Sequence, residues 1–161
     1  MISKEYLKNI RHEAIELEHL KGKIKGLYSS LFPGGLKLKE IRVQESVPYD
    51  KMAEKFAEFG EAVAEFEQRI GSLTRRQLEA ERLISLLEDV RHRNVLELYY
   101  LSEKRTNLNK VAEIMNYSAR EIDYLHSDAL KALDKIMRDN AEVSRESNLD
   151  PKSSSGNEAK S

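Results

Sequence analysis

Apolar residues recur at helical spacing along most of this chain, and two stretches keep a seven-residue rhythm. In residues 6–31, aliphatic side chains stand seven positions apart, although Glu13 interrupts a second row beside them. From Asp50, apolar side chains step by four and three as far as Leu73, and the register continues to Leu87. Such a repeat is typical of helices that pack along a narrow apolar seam. The predicted seam positions are Ile10, Leu17, Ile24, Leu31, Met52, Phe56, Phe59, Val63, Phe66, Ile70 and Leu73.

The stretch between the two repeats predicts a reversal of chain direction. Ser3 is a candidate N-cap for the first helix, and Phe32-Pro33-Gly34-Gly35 ends it, because proline removes a backbone donor. The following LKLKEIRVQESVPY, residues 36–49, is interpreted as a loop. Residues 1–89 are therefore predicted to form a long antiparallel helical hairpin, coiled-coil-like in its packing. Two helices bury only a narrow stripe, so we expect a homodimer with a four-helix core; the alternative is packing against the chain's own C-terminal helices.

Composition supports an all-α fold and narrows the class of protein. The 161 residues include 34% charged side chains, only 3 Pro and no Cys, so a disulfide framework is excluded. No apolar run approaches the roughly 20 residues that cross a bilayer, and residues 1–13 lack the apolar core of a signal peptide. A cytoplasmic protein without a membrane partner is the expectation. The net charge of −1 means that any contact with nucleic acid must come from a local patch.

The most informative stretch is LNKVAEIMNYSAREIDYLHS, residues 108–127. It predicts two helices joined by a tight turn, in which Asn116 takes a positive φ. Ser118 and Glu121 form the pattern of a capping box at the start of the second helix, and Ala112 is small enough for the helices to cross. This is the pattern of a helix-turn-helix, which usually places its second helix in the major groove of DNA; the alternative is an ordinary helical hairpin. The side chains expected to face inward are Val111, Met115, Tyr117, Ile122 and Leu125.

The flanking sequence completes the predicted organisation. A helix is expected after Glu88-Asp89, Asn107 is a candidate cap for the next one, and the last helix is expected from Ser118 to about Arg138. Residues 140–161 have almost no apolar side chains and are predicted to be disordered. The predicted parts are an oligomerisation hairpin over 1–89, a helix-turn-helix part over 90–139 and a tail over 140–161.

Residues 90–137 resemble region 4 of sigma-70-type RNA polymerase sigma factors. The resemblance lies in RNVLELYYL, a polar turn, and LNKVAEIMNYSAREIDYLHSDALKAL. With YLKNIR and YDKMAEKFAE, residues 6–140 look like small phage and prophage proteins with a sigma-70 region-4-like part, similar in style to phage late transcriptional regulators of the RinA and ArpU type. This implies a phage-type transcriptional regulator. Two features depart from the pattern: Asn116 stands where glycine is usual, and Arg120 has acidic neighbours instead of a basic helix around it.

If the stretch is a helix-turn-helix, the outward positions of its second helix reach base edges and the residues before its first helix reach phosphates. Arg120 is the candidate to pair with guanine, with a simple solvated charge near Tyr124 or Asp123 as the alternative. The predicted base-contact residues are Ser118, Ala119, Arg120, Asp123, Tyr124 and Ser127. The predicted phosphate-contact residues are Lys104, Arg105, Thr106, Asn107 and Lys110.

The sequence does not favour an enzyme. The four histidines have no metal-ligand spacing, and there is no glycine-rich phosphate loop or nucleophile elbow, so no metal or cofactor is expected. The expected function is a transcriptional regulator that dimerises through its hairpin and binds promoter-like double-stranded DNA, with RNA polymerase as a further candidate partner. One alternative is a protein-interaction module for RNA polymerase or another regulator with little DNA binding. Another is a subunit for phage DNA packaging, like the small terminase subunits.

Overall fold

The computed structural model describes residues 1–34 and 49–147, and all regular structure in these ranges is helical. This confirms the predicted all-α class. The helices are α1 (Ile2–Leu31), α2 (Tyr49–Ser85), α3 (Val90–Leu96), α4 (Leu108–Met115) and α5 (Ala119–Ser147), and a turn of π-helix, Glu97–Leu101, follows α3. None of the described helices combines the length and apolarity that a membrane crossing requires.

Two helix boundaries differ from the predicted ones: α5 ends later than predicted, and α2 begins one residue earlier, at Tyr49. Helix α5 continues to Ser147, so the part of the predicted disordered tail from residue 140 to 147 is helical. Exposed Ala141, Glu142 and Arg145 are good helix formers, and they extend the helix by backbone hydrogen bonds without needing a core. The predicted loop, except for Tyr49 at the start of α2, and the remainder of the tail lie outside the described residues.

The chain divides into two compact units, one of residues 8–79 and one of residues 1–7 with 80 onwards. In the unit of residues 8–79, contacts between α1 and α2 run in opposite order along the two helices. The Tyr28 and Phe59 rings lie 6.2 Å apart, and Glu16 pairs with Arg69 at 2.6 Å. Glu13, which interrupts the sequence repeat, forms an ion pair with Arg76. The interruption is therefore a polar contact between the two helices.

The predicted apolar seam of α2 is divided between two directions in the structure. Leu73 and the neighbouring Ala62 are buried, and Phe59 and Phe66 are half-buried. In contrast, the side chains of Met52, Phe56 and Ile70 are 41%, 45% and 38% exposed. Phe56 and Ile70 belong to one row of the repeat, and Met52 begins the other row, seven positions before Phe59. The cover over the seam is therefore incomplete along one row and at the start of α2. On α1, Ile10, Leu17 and Leu31 are buried and Ile24 is half-buried.

Gly60 and Gly71 lie inside α2 and are exposed. A β-carbon added at either would meet nothing within 4 Å in residues 1–34 and 49–147, so no contact in these ranges requires glycine there. Each costs the helix about 1 kcal/mol relative to alanine.

In the other unit, α3 and α4 both pack against α5. Fully buried aliphatic side chains from all three helices form the core of this unit. They include Val95, Leu96, Val111, Ile122, Leu130 and Leu133.

The first turn of α1 is fixed to α5 by Ser3. The helix begins at Ile2, so the predicted capping role of Ser3 is wrong: its backbone N–H donates to Asp134 Oδ1 at 2.7 Å and its hydroxyl donates to the Leu130 carbonyl at 2.9 Å. Ser3 and Asp134 are both buried. Burial raises the pKa of Asp134, but the hydrogen bonds from Ser3, together with attraction to the N-terminal ammonium and Arg138, hold the pKa below its ordinary value.

We expect Asp134→Ala to lower the free energy of unfolding by about 1–3 kcal/mol, because it leaves the buried Ser3 N–H without an acceptor. Ser3→Ala, which retains that N–H, is expected to cost about 1 kcal/mol. Urea unfolding followed by circular dichroism measures both, with Asp139→Ala, an exposed α5 carboxylate, as the control. Equal effects of Asp134→Ala and Asp139→Ala would contradict this role of Asp134.

A candidate nucleic-acid interface on α4 and α5

The turn between α4 and α5 closes in the way that the sequence predicts. Asn116 has φ 63° and ψ 40°, in the left-handed region. The Asn116 N–H donates to the Glu113 carbonyl at 3.3 Å and the Tyr117 N–H donates to the Ala112 carbonyl at 3.0 Å. This pair of bonds is a Schellman motif, which satisfies carbonyls at the end of α4. The prediction of a positive φ at Asn116 is confirmed.

Both helices of this segment are capped by side chains. Asn107 Oδ1 accepts from the Lys110 N–H at 2.8 Å, which caps α4. The Ser118 hydroxyl accepts from the Glu121 N–H at 3.3 Å, while Glu121 accepts from the Ser118 N–H at 2.8 Å. The predicted capping box is therefore present. Hydrogen bonds from the Ser118 side chain and backbone lower the pKa of Glu121, which favours its charged form. This carboxylate therefore serves to cap the start of α5.

The residues expected to face inward are covered to different degrees. Val111 and Ile122 are fully buried, and Ala112 is 5% exposed. Met115, Tyr117 and Leu125 are only half-buried. The apolar contact between α4 and the start of α5 is therefore fully covered at its centre and partly exposed at its edges.

The predicted base-contact residues share the outer side of the first turns of α5. Five of them are exposed and Ser127 is half-buried. Arg120 Nη2 lies 3.4 Å from the Tyr124 hydroxyl, and its guanidinium carbon lies 5.7 Å from the Tyr124 ring centroid. Asp123 is exposed and has no ion-pair partner within the described residues. In this conformation Arg120 therefore rests on its own helix, which matches the solvated alternative, while remaining accessible.

The predicted phosphate-contact residues divide into two groups. Lys104, Arg105, Asn107 and Lys110 are exposed, although the Lys110 ammonium pairs with Glu113 at 2.6 Å. Thr106 differs because it is 8% exposed and its hydroxyl donates to the Leu98 carbonyl in the π-helical turn. That hydroxyl is already used inside the fold, so Thr106 is removed from the set of candidate phosphate contacts.

Ion pairs within the chain reduce the positive charge near this surface. Asp89 caps α3 by accepting from the Arg91 N–H at 2.8 Å and also binds the Arg91 guanidinium at 2.7 Å. The Arg91 side-chain and backbone hydrogen bonds lower the pKa of Asp89 to about 2. Lys131 pairs with Asp128 at 3.1 Å. Within residues 104–120, Lys104, Arg105 and Arg120 are the cations without a carboxylate partner.

An aromatic cluster that the sequence did not predict supports α5 behind this surface. The Tyr100 hydroxyl lies 3.1 Å from His126 Nε2, and the two rings are stacked with centroids 5.7 Å apart. The Tyr99 ring meets His126 edge-on at 5.3 Å. Burial lowers the pKa of His126, repulsion from Lys4 lowers it further, and attraction to Asp123 partly opposes both. His126 is therefore a neutral packing residue near pH 7.

The described residues contain no group of three His, Cys, Asp or Glu side chains arranged to hold a metal ion. No protein-family profile, curated protein or solved structure matches this chain. The function must therefore be argued from the residues and their geometry.

We expect Asn116→Gly to leave the free energy of unfolding unchanged or to raise it, because glycine accepts a positive φ at no steric cost. Asn116→Ala is expected to lower it by about 1–2 kcal/mol, since a β-carbon is strained in that region. Urea titration of the three proteins measures the difference. Equal stability of the Ala and Gly variants would show that the turn has another backbone conformation in solution.

The depressed pKa of His126 predicts an acid-sensitive contribution to stability. Because the folded pKa is below the unfolded value of about 6.5, this contribution is complete above that value and is lost as pH falls through the folded pKa. Unfolding free energies measured between about pH 7.5 and 5 should fall more steeply for the wild type than for His126→Gln. His19→Gln, at an exposed position, is the control and should keep the wild-type slope. A wild-type slope in His126→Gln would refute the assignment.

Proposed function

We propose that this chain is a DNA-binding transcriptional regulator of phage type. In this proposal α4 and α5 form a helix-turn-helix of the sigma-region-4 kind, and α1 and α2 form an antiparallel hairpin through which two copies dimerise. The observation that carries the proposal is the left-handed turn at Asn116 followed by the Ser118–Glu121 capping box. These bonds fix the entry into α5 and leave an outer row of polar side chains accessible on its first turns.

The chemistry of the outer row suits recognition in the major groove. An arginine side chain pairs bidentately with guanine O6 and N7, which Arg120 can reach after leaving the Tyr124 ring. Asp123 can accept from the cytosine N4 amine, and Ala119 can contact a thymine methyl group. Lys104, Arg105, Asn107 and Lys110 would then bind phosphates and set the position of the protein without reading sequence.

The small number of unpaired cations on this surface sets the expected affinity for DNA. Each neutralised phosphate contributes a slope of about −0.9 to the dependence of log affinity on log salt. With so few unpaired cations, one copy should bind DNA weakly and lose affinity only moderately with salt. Binding of two half-sites by a dimer would supply the missing affinity and select their spacing.

A second candidate function is a protein-interaction module that binds RNA polymerase or another regulator. Two observations favour it: carboxylates neutralise Lys110, Arg91 and Lys131 within the chain, and Ile114 and Tyr124 are 53% and 60% exposed. Exposed apolar side chains on a surface with little net charge suit a protein partner better than a phosphate backbone.

Fluorescence anisotropy with labelled duplexes, titrated with salt, tests the proposal. We expect binding to a duplex selected from a random library, and a loss of at least about tenfold in Arg120→Glu, because the guanine contact is removed and a repulsive charge is added. Arg75→Glu, the same charge reversal at an exposed position of α2, should bind like the wild type. Lys104→Ala should weaken binding to all sequences equally and reduce the salt slope by about 1.

Two results would count against this function. Sequence-specific binding that survives Arg120→Glu would show that α5 does not read the bases. No binding of any duplex at low salt would favour the protein-interaction module, and pull-down with purified RNA polymerase would then be the next experiment.

A further inference from the structure

One long side of α2 is apolar and open in the unit of residues 8–79. Its large residues are Met52, Phe56, Val63 and Ile70, of which all except the half-buried Val63 are exposed. Exposed small residues lie directly beside them. We call these residues together the open strip: Met52, Ala53, Phe56, Ala57, Gly60, Val63, Ala64, Ile70 and Gly71.

The open strip is nearly free of charge, in contrast to the rest of α2. Glu67 is the one charged residue that falls on this side between Met52 and Gly71, whereas the remaining positions of that stretch include six Lys, Arg or Glu residues. An uncharged exposed side on a helix that is otherwise rich in charge is typical of a surface that meets a protein partner.

The two glycines point to close approach of another backbone. Within the described residues, a β-carbon added at Gly60 or Gly71 would meet nothing within 4 Å, and both glycines disfavour the helix in which they stand. Glycine within a helix is used where a second backbone or a bulky side chain must come close. The partner should therefore place large side chains against Gly60 and its small neighbours.

A second copy of α2 meets this requirement when it runs antiparallel. In that alignment, Val63 of one copy lies opposite Gly60 of the other, and Ile70 lies opposite Ala53. Three of the four large residues of the open strip, Met52, Val63 and Ile70, then face a small one, which is the alternation that close helix packing needs, and Phe56 lies opposite Glu67. A parallel alignment would instead place Glu67 against Glu67 and large side chains against each other.

The open strip is long and continues beyond α2. The strip from Met52 to Gly71 is roughly 30 Å long at 1.5 Å per residue. The Tyr28 and Phe32 side chains, 53% and 46% exposed, continue it onto α1, since the Phe32 ring lies 6.1 Å from that of Phe56. At the roughly 10–12 Å width of a helix, the strip itself offers roughly 350 Å² per copy. The exposed rings of Tyr28 and Phe32 add to it towards the roughly 800 Å² per partner of a standard interface.

The undescribed segment of residues 35–48 is too short to cover this strip, whatever its structure. Its 14 residues span at most roughly 50 Å when fully extended. Reaching Ile70 from the start of α2 and returning requires roughly 60 Å, because the rise along the helix is 1.5 Å per residue. The half of the strip around Ile70 and Gly71 therefore lies beyond the reach of this segment.

We propose that the open strip of α2 is the face on which a second copy of this chain packs, with the two α2 helices antiparallel. This inference shares with the proposed function the expectation of a homodimer, and it does not depend on DNA binding. It identifies the side of the hairpin that forms the dimer and the direction of the two copies.

Analytical ultracentrifugation without DNA, over a range of protein concentrations, tests the face. We expect a dimer for the wild type and at least about 30-fold weaker association for Ile70→Glu, a change that places a charge in the centre of an apolar contact. Val143→Glu, at a 64% exposed apolar residue of α5, should associate like the wild type. Circular dichroism should show the same helix content in all three proteins.

A glycine pair tests close approach. Gly60→Leu should weaken association by a similar factor, because its side chain would occupy the space of the partner's Val63 residue. Gly26→Leu, an exposed glycine of α1 with nothing within 4 Å of its β-carbon, is the matched control and should not change association.

Single cysteines test the direction, since the natural chain has none. A short bismaleimide should cross-link Val63→Cys, which lies near the two-fold axis. It should not cross-link Thr74→Cys, because antiparallel copies would separate the two thiols by roughly 35–40 Å. Efficient cross-linking of both variants would indicate parallel helices and overturn the proposed direction.

Failure of this inference can be separated from failure of the proposed function. A monomeric wild type, or a dimer that tolerates Ile70→Glu and Gly60→Leu, overturns the proposed face even if Arg120→Glu abolishes DNA binding. A monomer that is destabilised by Ile70→Glu would show that another part of the same chain covers the strip, which also overturns the proposal.

Discussion

Helix α5 must satisfy two opposite demands, and the unit of residues 1–7 and 80 onwards is built around them. Its inner side supplies the core that covers α3 and α4. Its outer side, on the first turns, must stay accessible if it is to meet a ligand. Ser3 binds the inner side through Leu130 and Asp134, and Tyr100 binds it through His126. Because these bonds fix the helix from behind, the outer row on its first turns is held in place without using those residues for stability.

Charge imposes a second constraint on the same helix. A surface for DNA needs unpaired cations, but several carboxylates near α5 are needed to build it. Glu121 starts the helix by capping, and Asp128 pairs with Lys131 on its surface. The acidic character of this segment is therefore partly structural, and the one exposed acid of the outer row without such a task is Asp123. These carboxylates still place negative charge beside the outer row, so one copy has little electrostatic attraction for DNA.

Local features of the fold could be predicted from the sequence, while contacts between distant residues could not. The turn at Asn116 and the capping box are closed by residues at most a few positions apart, so their side-chain types alone predict them. In contrast, the bond between Ser3 and Asp134 joins residues 131 positions apart, and nothing in the pattern near Ser3 indicates it. The buried hydroxyl of Thr106 is hidden in the same way, because its acceptor lies in a π-helical turn that the apolar spacing does not reveal.

The heptad pattern of α2 shows how a correct periodicity can leave a structural question open. A seven-residue repeat states that two adjacent rows of a helix are apolar, but not that one neighbour covers both. Here the row that includes Leu73 turns towards α1 and the row that includes Ile70 stays open. If α2 served only to fold against α1, charged residues in the open row would raise solubility and alanine in place of its glycines would raise stability. The chain keeps apolar side chains and glycines together on that side, which is the combination that close packing of a second helix would need.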